Sequence, residues 1–227
     1  DTMEQIEQLA GKSPVRSLKV SVNPSSWMEA AFTEFYERAY QKGDYYEYFE
    51  GNVRDVIERV QKGQDDLGFI YLLKEQSASA QFLMRKYQLQ FEPLKKIQLM
   101  LYGGKKIGQF PPADGELRLV QGSQTEVRPE DVLRLGAIEG ISLESPQTSV
   151  TTNSGSLLRH LLEHSDLWNL SSESLDGTYS GTEGILLEGK ENEVVFGCVS
   201  RNEEQLGELE KEFIAYVKRK LENSKKE

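Results

Sequence analysis

The chain has 227 residues, enough for one large domain or two small ones. Its 27 Lys and Arg against 37 Asp and Glu give a formal net charge of −10, which argues against nucleic-acid binding by this chain itself. Hydrophobic residues make up 37% and charged residues 28%, and no apolar run approaches a membrane span, so a globular protein without a membrane anchor is expected.

Residues 1–10 place Met3, Ile6, Leu9 and Ala10 on one side of a short helix. Gly11 and Ser13-Pro14 end it, and it reads either as the tail of a longer helix or as a frayed terminus. Asp1-Thr2-Met3-Glu4 lacks the basic start and apolar stretch of a signal peptide, so the expected location is cytoplasmic unless a signal has been removed.

Leu18–Val22 alternates apolar and polar residues and predicts a strand. Asn23-Pro24-Ser25-Ser26 follows, and then a helix carrying Trp27, Ala31, Phe32, Phe35, Tyr36 and Ala39. A strand that ends in hydroxyls at a helix start gathers free N–H groups at one point, which suits a carboxylate or phosphate; taken alone, plain helix capping is the simpler reading of the serines. Residues 44–50 and 66–73 read as further strands, with a helix at 53–62 between them. This β-α-β-α-β order predicts a parallel sheet whose ligand edge lies at the strand C-termini. Within the second strand, Tyr45 and Phe49 face one way and Tyr46 and Tyr48 the other, so both faces are expected to be covered, by the core or by another subunit.

Residues 75–87 predict a third helix, and Glu92-Pro93 interrupts the pattern, which marks a domain crossing near residue 93. A fresh strand covers Ile97–Leu101, followed by a loop-rich stretch through Gly103-Gly104, Pro111-Pro112 and Asp114-Gly115. A short helix starts at Pro129 and a short strand falls within Ile138–Leu143. Val150–Gly155 is a second strand end rich in hydroxyls, leading into a helix over Ser156–His164. A strand over 193–200 and a helix over Glu204–Leu221 close the chain, with a disordered tail from Asn223.

Little in the chain suggests catalysis. His160 and His164 are four apart on one helix, but there is no other histidine and one cysteine, so surface histidines are expected rather than a zinc site. Cys198 alternates within a strand-like run and reads as a structural thiol. Gly103-Gly104-Lys105-Lys106 lacks the first Gly and the Ser/Thr of a P-loop. No cofactor and no enzyme activity is expected.

The order of these pieces resembles the effector-binding, or regulatory, domain of LysR-type transcriptional regulators. Leu18–Val22 with Pro24-Ser25-Ser26 is similar to the family's first strand and small-polar turn. Phe49-Glu50-Gly51-Asn52, Gly63 and Asp66-Leu67-Gly68-Phe69-Ile70 resemble its recurring E-G and G-x-x-D-l pattern. Phe91-Glu92-Pro93-Leu94 resembles its x-E-P-l crossing, Val150–Ser154 its second strand-to-helix entry, and Phe196–Arg201 its closing strand. Two features depart from it. Only about half a dozen residues separate Leu143 from Val150, where the family has another helix, and Asp166–Leu170 replaces its G-x-G-I turn.

The resemblance implies two α/β subdomains joined by two crossover strands, in a fold like that of periplasmic binding proteins. It assigns 1–16 to the end of a linker helix, 17–93 plus 195–227 to subdomain I and 94–194 to subdomain II. It implies an effector site at Ser25, Ser26, Tyr71 and Leu72 from the first subdomain and Gly103, Ser145, Thr151, Thr152 and Asn153 from the second. The implied partners are a polar or anionic small molecule and a second copy or more of the chain, in a homodimer or homotetramer. DNA would be reached only through an N-terminal winged helix-turn-helix domain outside this chain. A solute-binding protein of a transport system is the alternative with the same fold.

Overall fold

Alternation at Leu18, Val20 and Val22 sets the first element, β1 (Ser17–Val22), whose three apolar side chains are fully buried. The computed structural model describes residues 16–107, 116–124, 127–133, 146–172, 175, 178–179, 182–202 and 206–223. The expected helix over residues 1–10 and the strand within Ile138–Leu143 lie outside these. After β1 come α1 (Ser26–Ala39), β2 (Tyr45–Glu50), α2 (Val53–Gln61), β3 (Leu67–Leu73), α3 (Lys74–Lys86) and β4 (Gln90–Gln98). The chain then runs through β5 (Met100–Gly103), β6 (Arg118–Gly122), α4 (Pro129–Leu133), β7 (Gln147–Thr152), α5 (Gly155–His164) and β8 (Trp168–Ser171). Short strands β9 (Thr178–Tyr179), β10 (Thr182–Glu183) and β11 (Ile185–Leu186) precede β12 (Glu193–Ser200) and α6 (Glu208–Asn223).

Two five-stranded sheets organise the molecule, in the orders β2-β1-β3-β12-β4 and β11-β5-β8-β6-β7. In the first, β1 pairs parallel with β2 and β3, as a β-α-β-α-β order requires, and β12 returns antiparallel between β3 and β4. In the second, β6 pairs parallel with β7 and β8, and β5 runs antiparallel to β8. The fold is α/β with two subdomains.

Strand alternation on β3 divides the core of the first sheet. Leu67, Phe69 and Tyr71 face the layer of α1 and α6, where the Phe69 ring lies 6.0 Å from Phe196 and 5.7 Å from Phe213. Ile70 and Leu72 face α2 and α3, among Val53, Val56, Ile57, Val60 and Met84. Asp65, fully buried just before β3, is bound by Arg59, with Arg59 Nη2 to Asp65 Oδ1 at 3.0 Å. The aromatic strand β2 is an edge strand: Tyr46 and Tyr48 pack on Phe32 of α1, and the Arg59 guanidinium stacks 3.9 Å from the centroid of Phe49.

Pro93 does not end the first subdomain's sheet. It lies inside β4, opposite Gly197, where the register with β12 shifts. Because β4 is an edge strand, the missing proline N–H breaks no interior ladder. The passage to the second sheet comes at Leu99, between β4 and β5. Leu99 is fully buried, donates its N–H to the Asn192 carbonyl at 2.9 Å and accepts from Leu187 N–H at 2.9 Å. The outgoing and returning crossings are thus bonded to each other.

Candidate functional site

The C-terminal ends of β1, β2, β6 and β7 open onto one cleft between the two sheets. Side-chain hydrogen bonds shape its first wall. Asn23, buried after β1, donates from Nδ2 to the Gly51 carbonyl at 2.9 Å and accepts from Tyr71 N–H at 2.8 Å, which ties the turn to β2 and β3. Ser25 caps α1 by accepting from Met28 N–H at 3.3 Å and shares a 2.8 Å hydrogen bond with the Tyr71 hydroxyl. The opposite wall repeats the device. Ser154 caps α5 by accepting from Leu157 N–H at 3.2 Å and donates its own N–H to Thr152 Oγ1 at 3.0 Å. Both helix starts therefore border the same space, which holds about 690 Å3 with its open mouth included.

The cleft brings together Ser25, Ser26, Thr152 and Asn153. Tyr71 lies just behind Ser25 and lines a smaller space with Gln76, Gln124 and Ser172. Leu72 points away, into the apolar layer beneath α2 and α3; successive residues of a strand face opposite sides, so Tyr71 and Leu72 cannot share the cleft. Gly103 pairs with Trp168 in the second sheet, and a Cβ there would meet the Ile107 and Trp168 side chains at 3.0 Å. Thr151 is exposed on β7 and is not among the lining residues, again by alternation with Thr152. Ser145 lies outside the described residues.

The charged residues of the cleft were not legible beforehand. Glu29 from α1, Glu50 from the end of β2 and Arg159 from α5 all line it. Arg159 Nη1 reaches Glu29 Oε2 at 3.2 Å and links the two subdomains across the opening. With each side chain about two-fifths exposed (39% and 40%), this pair contributes only about 0–1 kcal/mol and leaves the cleft free to open. Glu50 is more enclosed, and its Oε1 is buried with no hydrogen-bond partner among the described residues. Burial pushes its carboxyl above the usual range, and the charge of Glu29 adds to this. The Ser25 backbone N–H and the Arg159 guanidinium oppose the rise. Buried Asn169, at the floor, donates to the Val120 carbonyl at 2.9 Å and to Gln121 Oε1 at 2.8 Å.

The architecture is that of several solved regulatory domains. The chain is similar over 89% of its length to the C-terminal domain of a probable LysR family transcriptional regulator from Rhodococcus sp. RHA1, covering 98% of that chain at 19% identity and a TM-score of 0.58. The fold is that of a LysR-type regulatory domain. The regulatory domain of HypT from Salmonella typhimurium in its apo form shares it, at 14% identity and a TM-score of 0.56, over 94% of this chain and 97% of that one. So does the effector binding domain of QuiR in complex with shikimate, at 12% identity and a TM-score of 0.55, over 92% and 98% of the two chains. No family profile and no curated protein matches the sequence. The LysR-type fold has its two subdomains here as two sheets, with Leu99 and the run into β12 as the crossings.

Proposed function

We propose that this chain is the effector-binding domain of a LysR-type transcriptional regulator and takes a small polar molecule in the cleft between its sheets. The observation that carries this reading is the facing pair of polar helix starts, Ser25-Ser26 and Asn153-Ser154, within a LysR-type fold. N–H groups and hydroxyls at two helix starts donate to the oxygens of a carboxylate or hydroxyl. Glu29 and Glu50 modify the expected ligand. A bare polyanion would meet two carboxylates against one guanidinium, so a ligand that also carries hydroxyl or ammonium donors suits the cleft better. Binding then biases the angle between the subdomains, and that change passes to subunit packing and to a separate DNA-reading domain. On this reading the protein is a cytoplasmic homodimer or homotetramer that does no chemistry on its ligand. No helix among the described residues is long and apolar enough to cross a membrane.

The test is a thermal-shift screen against polyhydroxy acids, amino acids and dicarboxylates, followed by Ser26→Trp. Ser26 is exposed on the cleft wall, whereas Ser25 is 5% exposed and bonded to Tyr71, so only the former tolerates a bulky probe. A ligand at one hundred times its dissociation constant adds about 2.7 kcal/mol of stability. A selective hit that Ser26→Trp abolishes supports the reading. A hit that survives Ser26→Trp places binding elsewhere, and silence across the panel removes the effector role.

A further inference from the structure

Two imidazoles and a carboxylate meet at the outer end of α5. His160 and His164 stand one turn apart with ring centroids 4.1 Å from each other. Glu163 projects beside them, and one ligand atom from each of the three residues lies within 4.8 Å of the others. A count of histidine and cysteine alone passes over the Glu163 carboxylate.

His164 is already set in the form a metal needs. Its Nδ1 lies 2.9 Å from the His160 carbonyl oxygen. A carbonyl only accepts, so in the neutral ring Nδ1 carries the hydrogen and Nε2 keeps its lone pair. A hydrogen bond at the second ring nitrogen is how metal-binding histidines are held. Both histidines are exposed, so an ion can reach them without opening the fold. A competing contact is weak: Lys105 Nζ is 3.8 Å from Glu163 Oε1, with both side chains more than a third exposed.

We propose that His160, Glu163 and His164 form a binding site for a divalent transition metal of the zinc, nickel or copper class. Two imidazole nitrogens and one carboxylate oxygen suit these ions, whereas calcium and magnesium select all-oxygen sets. Three protein ligands leave a fourth position open to water or to a group from another molecule. The site lies one residue beyond Arg159, so a bound ion fixes the last turn of the helix whose first turns wall the cleft. It uses none of the cleft-lining side chains, and it stands or falls separately from the effector reading.

The experiment titrates Zn2+ into the whole chain by calorimetry, with Tm followed in parallel. The expected result is one ion per chain and a raised Tm, both lost in the H160A/H164A double variant and weakened in E163Q. Circular dichroism checks that the exposed substitutions leave the fold intact. The proposal is overturned if the wild-type chain takes up no Zn2+, or if the double variant binds it as tightly as wild type.

Discussion

Glu50 closes β2 inside the cleft with an unpartnered carboxylate oxygen, and its protonation couples the cleft to folding. Burial holds its proton more tightly in the folded chain than in the unfolded one. The folded state therefore binds more protons between the ordinary carboxylate range and the raised value, and stability falls as pH rises through that window. Glu34 acts with the opposite sign. Lys220, then Tyr216, hold its carboxyl below the usual range, so its contribution is present at neutral pH and is lost as pH falls through the folded value. Glu50→Gln keeps an acceptor for the Ser25 N–H and removes the charge. Its Tm should exceed that of wild type at pH 7 and match it near pH 4, in thermal melts at both values. A lower Tm at pH 7 would show that Arg159 and the Ser25 N–H need the charged form. At this scale the hydroxyls of the cleft were readable as helix starts, because Ser25 and Ser154 do cap their helices, and the cleft follows from the two starts facing each other. Glu29, Glu50 and Arg159 were not, because a charged residue on an amphipathic element looks the same in sequence whether it faces solvent or a cleft.

Close approach fixes β3 against α2. A Cβ on Gly68 would lie 2.6 Å from Val56 Cγ1 and 3.1 Å from Val60 Cγ2, both on the buried face of α2. Gly68→Ala should therefore cost about 1–3 kcal/mol by overpacking, read as a shift of the urea midpoint with unchanged slope. An unaltered midpoint would mean that α2 rides up without loss. The apolar run from Leu67 to Leu73 made β3 legible, as periodicity did for α1, α2 and α5. The strands β6 and β8 escaped notice for a specific reason. Gln121 and Asn169 sit within them, buried and bonded to each other, and they break the apolar run by which a central strand is recognised. Pro93 misled in the other direction, since an edge strand tolerates a residue that a central one does not.

The two sheets border one cleft and share a buried apolar cluster that runs from Phe69 and Phe196 to Leu101 and Trp168. Leu99 carries one crossing and is bonded to the other, so a rotation of the subdomains would turn on a few backbone bonds there while each sheet stays intact. That arrangement was implied by the order of segments; the place of the joint was not, because β4 runs past its proline. One feature of the first sheet turns this separation to use. Cys198 is the sole cysteine of the chain and lies 3% exposed in β12, between β3 and β4, where burial raises the thiol well above its usual range. Its side chain lies in the apolar layer with Leu209, Phe213 and Val217 of α6, so rotation of the subdomains leaves it covered, and loss of α6 or of the sheet itself exposes it. A colourless-to-coloured thiol reagent should thus leave the native chain unmodified and react at the rate of global unfolding measured by circular dichroism. Faster labelling would reveal a partial opening, of α6 from the sheet or of the sheet itself. With no engineered label, the chain carries its own stopwatch for the survival of β12 and its helix cover, which hinge motion does not start.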